Sequence, residues 1–237
     1  QIITAIDLGY DVQVLVKRVL NIDESLQRSI IEQYGIDKAI IEESNLFRPS
    51  ANWIYKSLKI LFANFLNINK ITKYLKYKNQ LNIDVLFEYN FYSKLDQTDI
   101  VHVQFGTNHQ PLELLKKAKI LKSKLVVSFH GHDAFFPIYN FIPLGYYDEL
   151  FNQADLIMTN TPYLEEQLIK IGCQKEKIKT IPVAVNTELF VPLKSSKSMS
   201  NYSTVVKLIT VGRLEKIKGH LFALEVVRLL KSYNYNI

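Results

Sequence analysis

Within one short stretch, His130-Gly131-His132-Asp133, the chain sets two imidazoles and a carboxylate around a glycine. Such groups can hydrogen-bond a ligand hydroxyl, exchange a proton near neutral pH or, with further ligands, hold a metal ion. The residues before them decide where they stand. Leu125 to Phe129 is apolar on both faces and rich in β-branched residues, which predicts a strand buried in a parallel sheet. Polar residues that follow such a strand lie at its carboxyl end, the edge at which open α/β sheets bind ligands. The plainer alternative is a strand-end histidine held by nearby backbone, with Asp133 merely starting the next turn.

The surrounding elements follow from periodicity. The chain opens in a helix whose apolar face is Ile2, Ile3 and Ile6, with Gly9 placed for a left-handed stop and a strand over 11 to 16. A helix running into a strand implies a preceding strand, and because the first residue is Gln1 the amino end is expected to be missing. Residues 24 to 46 carry two amphipathic patterns divided by Gly35. From Trp53 to about Tyr77 a longer helix is predicted, with Ile54, Leu58, Leu61, Phe62, Phe65 and Leu66 along one side and lysines on the rest. That stripe is expected to pack inward with the lysines in solvent; the alternative is a basic amphipathic helix, over 53–78, lying on an anionic membrane.

Beyond residue 83 strands and helices alternate. Strands are predicted over Ile100 to Gln104, Leu156 to Thr159 and Ile178 to Val185. Helices are predicted over Pro111 to Leu121, over Tyr146 to Gln153 and after Thr161-Pro162 as far as Gly172. This rhythm argues an α/β fold with a doubly wound parallel sheet. Pro192 and a Ser- and Lys-rich tract then break the pattern. The organisation expected is a first domain over 1–188, a linker over 189–204 and the beginning of a second domain over 205–237, with a strand from Lys207 to Val211 leading through Gly212-Arg213 into a helix. One strand and one helix cannot close a core, so a truncated carboxyl end is expected.

Composition bounds the function classes. The hydrophobic content of 48% with 22% charged residues is that of a globular protein, and the net charge of +6 favours an anionic partner. No apolar run approaches the roughly 20 residues that cross a bilayer. The lone Cys173 cannot form an internal disulfide and suits a reducing, cytoplasmic setting, where it is expected to be inert.

Five landmarks in order, Asp99-Ile100-Val101-His102-Val103-Gln104-Phe105-Gly106, Ser128-Phe129-His130-Gly131-His132-Asp133, Ala154-Asp155-Leu156-Ile157, Val185-Asn186-Thr187-Glu188-Leu189-Phe190 and Val211-Gly212-Arg213-Leu214-Glu215-Lys216-Ile217-Lys218-Gly219, resemble those of one family. It is the retaining, nucleotide-sugar-dependent glycosyltransferases of GT-B fold, glycosyl transferase group 1 (family four), and within it the bacterial colanic acid and exopolysaccharide enzymes. The resemblance implies two Rossmann-like domains facing across a cleft, the first for the acceptor and the second, truncated here, for the nucleotide sugar. It implies retaining transfer without a divalent metal to a glycan or lipid-linked acceptor, in making cell-surface polysaccharide such as exopolysaccharide or lipopolysaccharide, on the cytoplasmic side of the membrane. No other cofactor is implied, nor any nucleic-acid partner.

By that resemblance His130 and Asp133 stand near the transferred sugar as the catalytic pair, and Phe105, Gly106, Gly131 and His132 line the acceptor cleft. Arg213 and Lys218 would meet the donor diphosphate, a guanidinium at a strand end and an ammonium at a helix amino terminus both favouring an anion. The plainer alternative pairs Arg213 with Glu215 and leaves Lys218 in solvent. His102, mid-strand, is expected to be a core histidine. Where the family commonly has glycine and aspartate before the interdomain crossing, this chain has Ala184 and Asn186. The family's paired-glutamate motif would lie beyond Ile237, so these residues alone are expected not to turn over. Two other classes compete. A metal-dependent hydrolase could use His130 and His132, but His102, His109 and His220 offer no second cluster. A non-catalytic module binding RNA or anionic lipid would explain the charge, yet no ribonucleoprotein-type or helix-turn-helix motif is present.

Overall fold

The computed structural model describes residues 1–19, 21–25, 27–43, 52–79, 83–185, 187–188, 191 and 208–235, and the side chains of all of these except 53, 56 and 83. It divides into two compact units, Gln1–Val183 and Ala184–Ile237. Nearly all of the predicted linker over 189–204, with Asn186 and Lys207, lies outside the described residues.

In the first unit, α1 (Ile2–Asp7) leads through Gly9, left-handed at φ +83°, to β1 (Val14–Val16). Helices α2 (Arg28–Gln33) and α3 (Ile36–Ala39) flank Gly35, as the pattern predicts. They are followed by a strand the pattern did not reveal, β2 (Ile40–Glu42), parallel to β1 with Val14 opposite Ile40. Its three residues are too few for alternation to show.

The predicted long helix is two helices, α4 (Trp53–Ala63) and α5 (Ile68–Lys78), joined by a 3-10 turn over Phe65–Asn67. Asn64 makes the break: its side-chain amide donates to the Ile60 carbonyl at 2.9 Å, competing with the helical ladder. The stripe expected to pack inward faces outward. Ile54, Leu58, Leu61, Phe62, Phe65 and Leu66 are all exposed, while Ser57 is buried, Ile60 packs on the core and α5 contributes buried Ile71 and Tyr74. Helix α6 (Ile83–Tyr92) covers them with Val85, Leu86, Tyr89 and Tyr92, at the three- and four-residue spacing of one helix face.

Among the described residues the main sheet has four parallel strands in sequence order: β3 (Ile100–Gln104), β4 (Lys124–Ser128), β5 (Leu156–Thr159) and β6 (Ile178–Thr180). Leu125, Val127, Phe129 and Ile157 are almost wholly buried, each contributing roughly 1.5–3 kcal/mol on leaving water. Between the strands run α7 (Leu112–Lys117), α8 (His132–Phe135), α9 (Asp148–Gln153) and α10 (Pro162–Lys170). Helix α10 obeys its signals: Thr161 Oγ1 accepts from Leu164 N at 3.1 Å and Gly172 ends it at φ +105°. Helices α7 and α9 are shorter than predicted. So is β6, because β5 ends at Thr159, whose carbonyl takes a last bond from Ile181 N, and beyond it no neighbour among the described residues is left to pair with.

Asp155 binds the layers together. Its carboxylate accepts from Lys116 Nζ on α7 at 2.6 Å, from Leu125 N on β4 at 2.9 Å and from Lys124 Nζ at 3.1 Å. Burial pushes its pKa up, but these donors outweigh burial and hold it at about 2.

In the second unit, a 3-10 turn at Lys216–Lys218 leads through Gly219 into α11 (His220–Ser232). Leu208–Val211, the greater part of an expected strand, is not in a strand; a strand needs a partner, and no strand among the described residues pairs with it.

Candidate functional site

Strands β3 and β4 end level, with Gln104 opposite Ser128, so the segments after them emerge side by side at the carboxyl edge of the sheet. One carboxylate ties those segments together. Asp133 is 3% exposed, and it accepts from Gly106 N at 2.8 Å, Gly131 N at 3.0 Å and His130 N at 3.1 Å. Its own carbonyl accepts from the buried Tyr147 hydroxyl at 2.8 Å. Asp133 thus faces the protein.

Two backbone features allow this clasp. Gly131 sits at φ +137°, ψ −81°, which only glycine adopts readily. Gly106 lies so close to the Phe129 ring that a Cβ there would overlap three of its carbons, and that ring is fixed in the core by Tyr147 and Phe151. Between β3 and Gly106, Phe105 holds φ +69°, ψ 125°, a strained conformation for a residue with a side chain. Its half-exposed ring leans on His130, ring centres 4.7 Å apart.

His130 is exposed. Its Nε2 lies 2.9 Å from Gln104 Oε1, which can only accept, so the ring carries its proton on Nε2 and Nδ1 is left as the acceptor when the ring is neutral. The Gln104 amide nitrogen turns to Gln1 Oε1 at 3.0 Å and to His102 Nε2 at 3.2 Å, and Ser128 Oγ lies 2.8 Å from the same His102 nitrogen. His102 is therefore not the core histidine expected: it is exposed, and it belongs to a line of polar groups from Ser128 to His130. Packing around the ring, then the nearby His130, lower its pKa. His132, also exposed, packs edge-on against Phe136.

Arg213 and Lys218 lie in the second unit. Arg213 Nη1 pairs with Glu215 at 3.0 Å, and Lys218 stands in the turn before α11. His220, the first residue of α11, donates from Nε2 to the Arg213 carbonyl at 3.0 Å and lies 3.1 Å from Thr210 Oγ1 through Nδ1. Gly212 approaches both the His220 ring and the Lys218 side chain. The segment bearing Arg213 is thereby laid against the start of α11, beside Lys218. Cys173 is buried, and burial pushes its thiol up to about 12.

Motif reading singles out His130 and Asp133 but misses Gln104, Ser128 and His220, which act through partners 26, 26 and 7 residues away. The available signal for Gln104 was its place as the last polar residue of β3.

A parallel sheet with helices between its strands and a clasped polar turn at its carboxyl edge is a Rossmann-like α/β arrangement. The sequence model for Glycosyltransferase Family 4 matches residues 7–189, and the chain belongs to that family. It is similar to the amylovoran biosynthesis glycosyltransferase AmsK of Erwinia amylovora, 29% identical over 134 residues that make up 56% of this chain and 32% of the relative. It is also similar to the putative colanic acid biosynthesis glycosyltransferase WcaL of Escherichia coli K12, 27% identical over 138 residues, 57% of this chain and 32% of the relative. The matched segment thus spans about a third of each relative. No solved structure matches the chain.

Proposed function

We propose that the chain is the acceptor-side part, with the beginning of the donor-side part, of a glycosyltransferase. In this reading the enzyme moves a sugar from a nucleotide-sugar donor to a glycan or lipid-linked acceptor in the synthesis of a cell-surface polysaccharide of the exopolysaccharide kind. Transfer is retaining and uses no divalent cation. The observation that carries the reading is the Asp133 clasp, which presents His130 and Phe105 at the sheet's carboxyl edge in a member of this family. His130 hydrogen-bonds the transferred sugar or the acceptor hydroxyl, Phe105 holds its ring, and Asp133 positions both rather than exchanging a proton. Arg213 and Lys218, near the start of α11, stabilise the departing diphosphate electrostatically. Among the described residues no three His, Cys, Asp or Glu side chains group as a metal site would.

The test is turnover by the intact protein with a panel of nucleotide sugars, with and without a chelator, reading the anomeric configuration of the product by NMR. Retained configuration and chelator-resistant activity are expected. His130→Ala should lose activity without melting early, and Lys218→Ala should lower kcat/KM about a hundredfold. Turnover with none of the donors, or an early-melting His130→Ala whose folded fraction is fully active, would overturn the reading.

A further inference from the structure

The exposed stripe of α4 and the turn after it is left over from the donor and acceptor chemistry. Ile54, Leu58, Leu61 and Phe62 recur at helical spacing, and Phe65 and Leu66 continue the surface into the 3-10 turn. Phe62 is 87% exposed and Leu66 94%, so these side chains stand almost wholly free of the rest of the described residues. The opposite side of α4 is already used, Ser57 being buried and Ile60 packed on the core. The helix is therefore anchored by one face and offers the other.

Charge selects the occupant. Residues 53–78 contain six lysines and no aspartate or glutamate, and Lys59, Lys73 and Lys76 are exposed. Self-association through this surface would bring lysines of like sign together. Of the six, Lys78 is paired with Glu88 of α6 at 3.1 Å, and a partner protein would have to match the apolar strip while meeting the exposed lysines with acidic groups of its own. An anionic bilayer satisfies both demands at once, taking the aromatic and aliphatic side chains among its acyl chains while the lysines stay at headgroup level.

We propose that α4, the 3-10 turn and α5 seat the protein on an anionic membrane surface, with Phe62, Phe65 and Leu66 as the inserting side chains and Lys59, Lys73 and Lys76 meeting the headgroups. The mode differs from a helix that binds by lysines alone, because the apolar face is the one turned outward.

Co-sedimentation of the intact protein with vesicles tests it, comparing phosphatidylcholine alone with phosphatidylcholine mixed with phosphatidylglycerol. Binding to the mixed vesicles that weakens with salt is expected. Lys73→Gln with Lys76→Gln should lower it about fivefold per charge, and Phe62→Ser with Leu66→Ser on the order of tenfold or more. These side chains are exposed, so melting temperatures should not fall in either variant. Equal partition onto both vesicle types, no binding, or binding untouched by both pairs of substitutions would overturn the proposal. So would a dimer, seen by sedimentation velocity, that Phe62→Ser with Leu66→Ser converts to monomer.

Discussion

The carboxylate of Asp133 lies 2.8 Å from the amide of Gly106, across a sequence gap of 27 residues and out of reach of solvent. This contact joins the segment after β3 to the segment after β4, and so sets how Phe105 meets His130. A carboxylate here accepts on both oxygens from three backbone donors; an amide cannot, because one of its heavy atoms is itself a donor.

Asp133→Asn should therefore destabilise the protein by about 2–3 kcal/mol through a lost charge-assisted bond and a donor facing a donor. Denaturant titration measures this. A purely chemical role would leave stability unchanged and reduce activity only.

Phe105 yields a prediction of unusual sign. Glycine ordinarily ranks below alanine as a host for ordered backbone, but at φ +69° alanine keeps the strain and loses the ring. Phe105→Gly should thus be more stable than Phe105→Ala by roughly 1 kcal/mol, as read from paired melts. Both should lose activity, because neither braces His130.

Gln104 acts through His130 by fixing the position of its proton. In Gln104→Leu the Nε2 proton loses its acceptor, so the ring should populate both neutral tautomers, visible in the nitrogen NMR shifts of the imidazole. Gln104→Glu should keep the acceptor and the original tautomer. Unchanged shifts in Gln104→Leu would show that something other than Gln104 holds the ring.

Asp155 makes stability depend on pH. Its folded pKa, about 2, lies below the ordinary 3.8 of a free side chain, so the folded state binds its proton less readily. The contribution is complete above about pH 4 and is lost as pH falls from there toward 2. Asp155→Asn should cost about 1 kcal/mol at neutral pH after solvent screening. The gap to the unaltered protein should close through that acid window in denaturant titrations. A gap constant with pH would place the effect in packing instead.

Much of the main sheet is legible in sequence because its cues are local. The double-faced apolar run marks β4, Thr161-Pro162 and Gly172 bracket α10, and both lie within a residue or two of their predicted bounds. The α4 stripe shows the limit of such cues. Periodicity establishes that a helix has an apolar side, but which medium that side meets depends on what else competes for the core, and here Ile60, Ile71 and Tyr74 take the place. At the candidate site, the His-Gly-x-Asp motif marks the turn, yet that His130 faces outward and Asp133 inward shows only in their burial. Short β2 and the contacts of Gln104 rest on partners distant in the chain.

The four strands of the main sheet stand side by side in the order in which they are synthesised. Each new strand and its helix can dock on an edge that the ribosome has already released, so loop-closure entropy is met in small steps rather than one large one. Growth of this kind is vectorial: β4 is covered when β5 arrives, β5 when β6 arrives, and the edge exposed during translation moves steadily with the emerging chain.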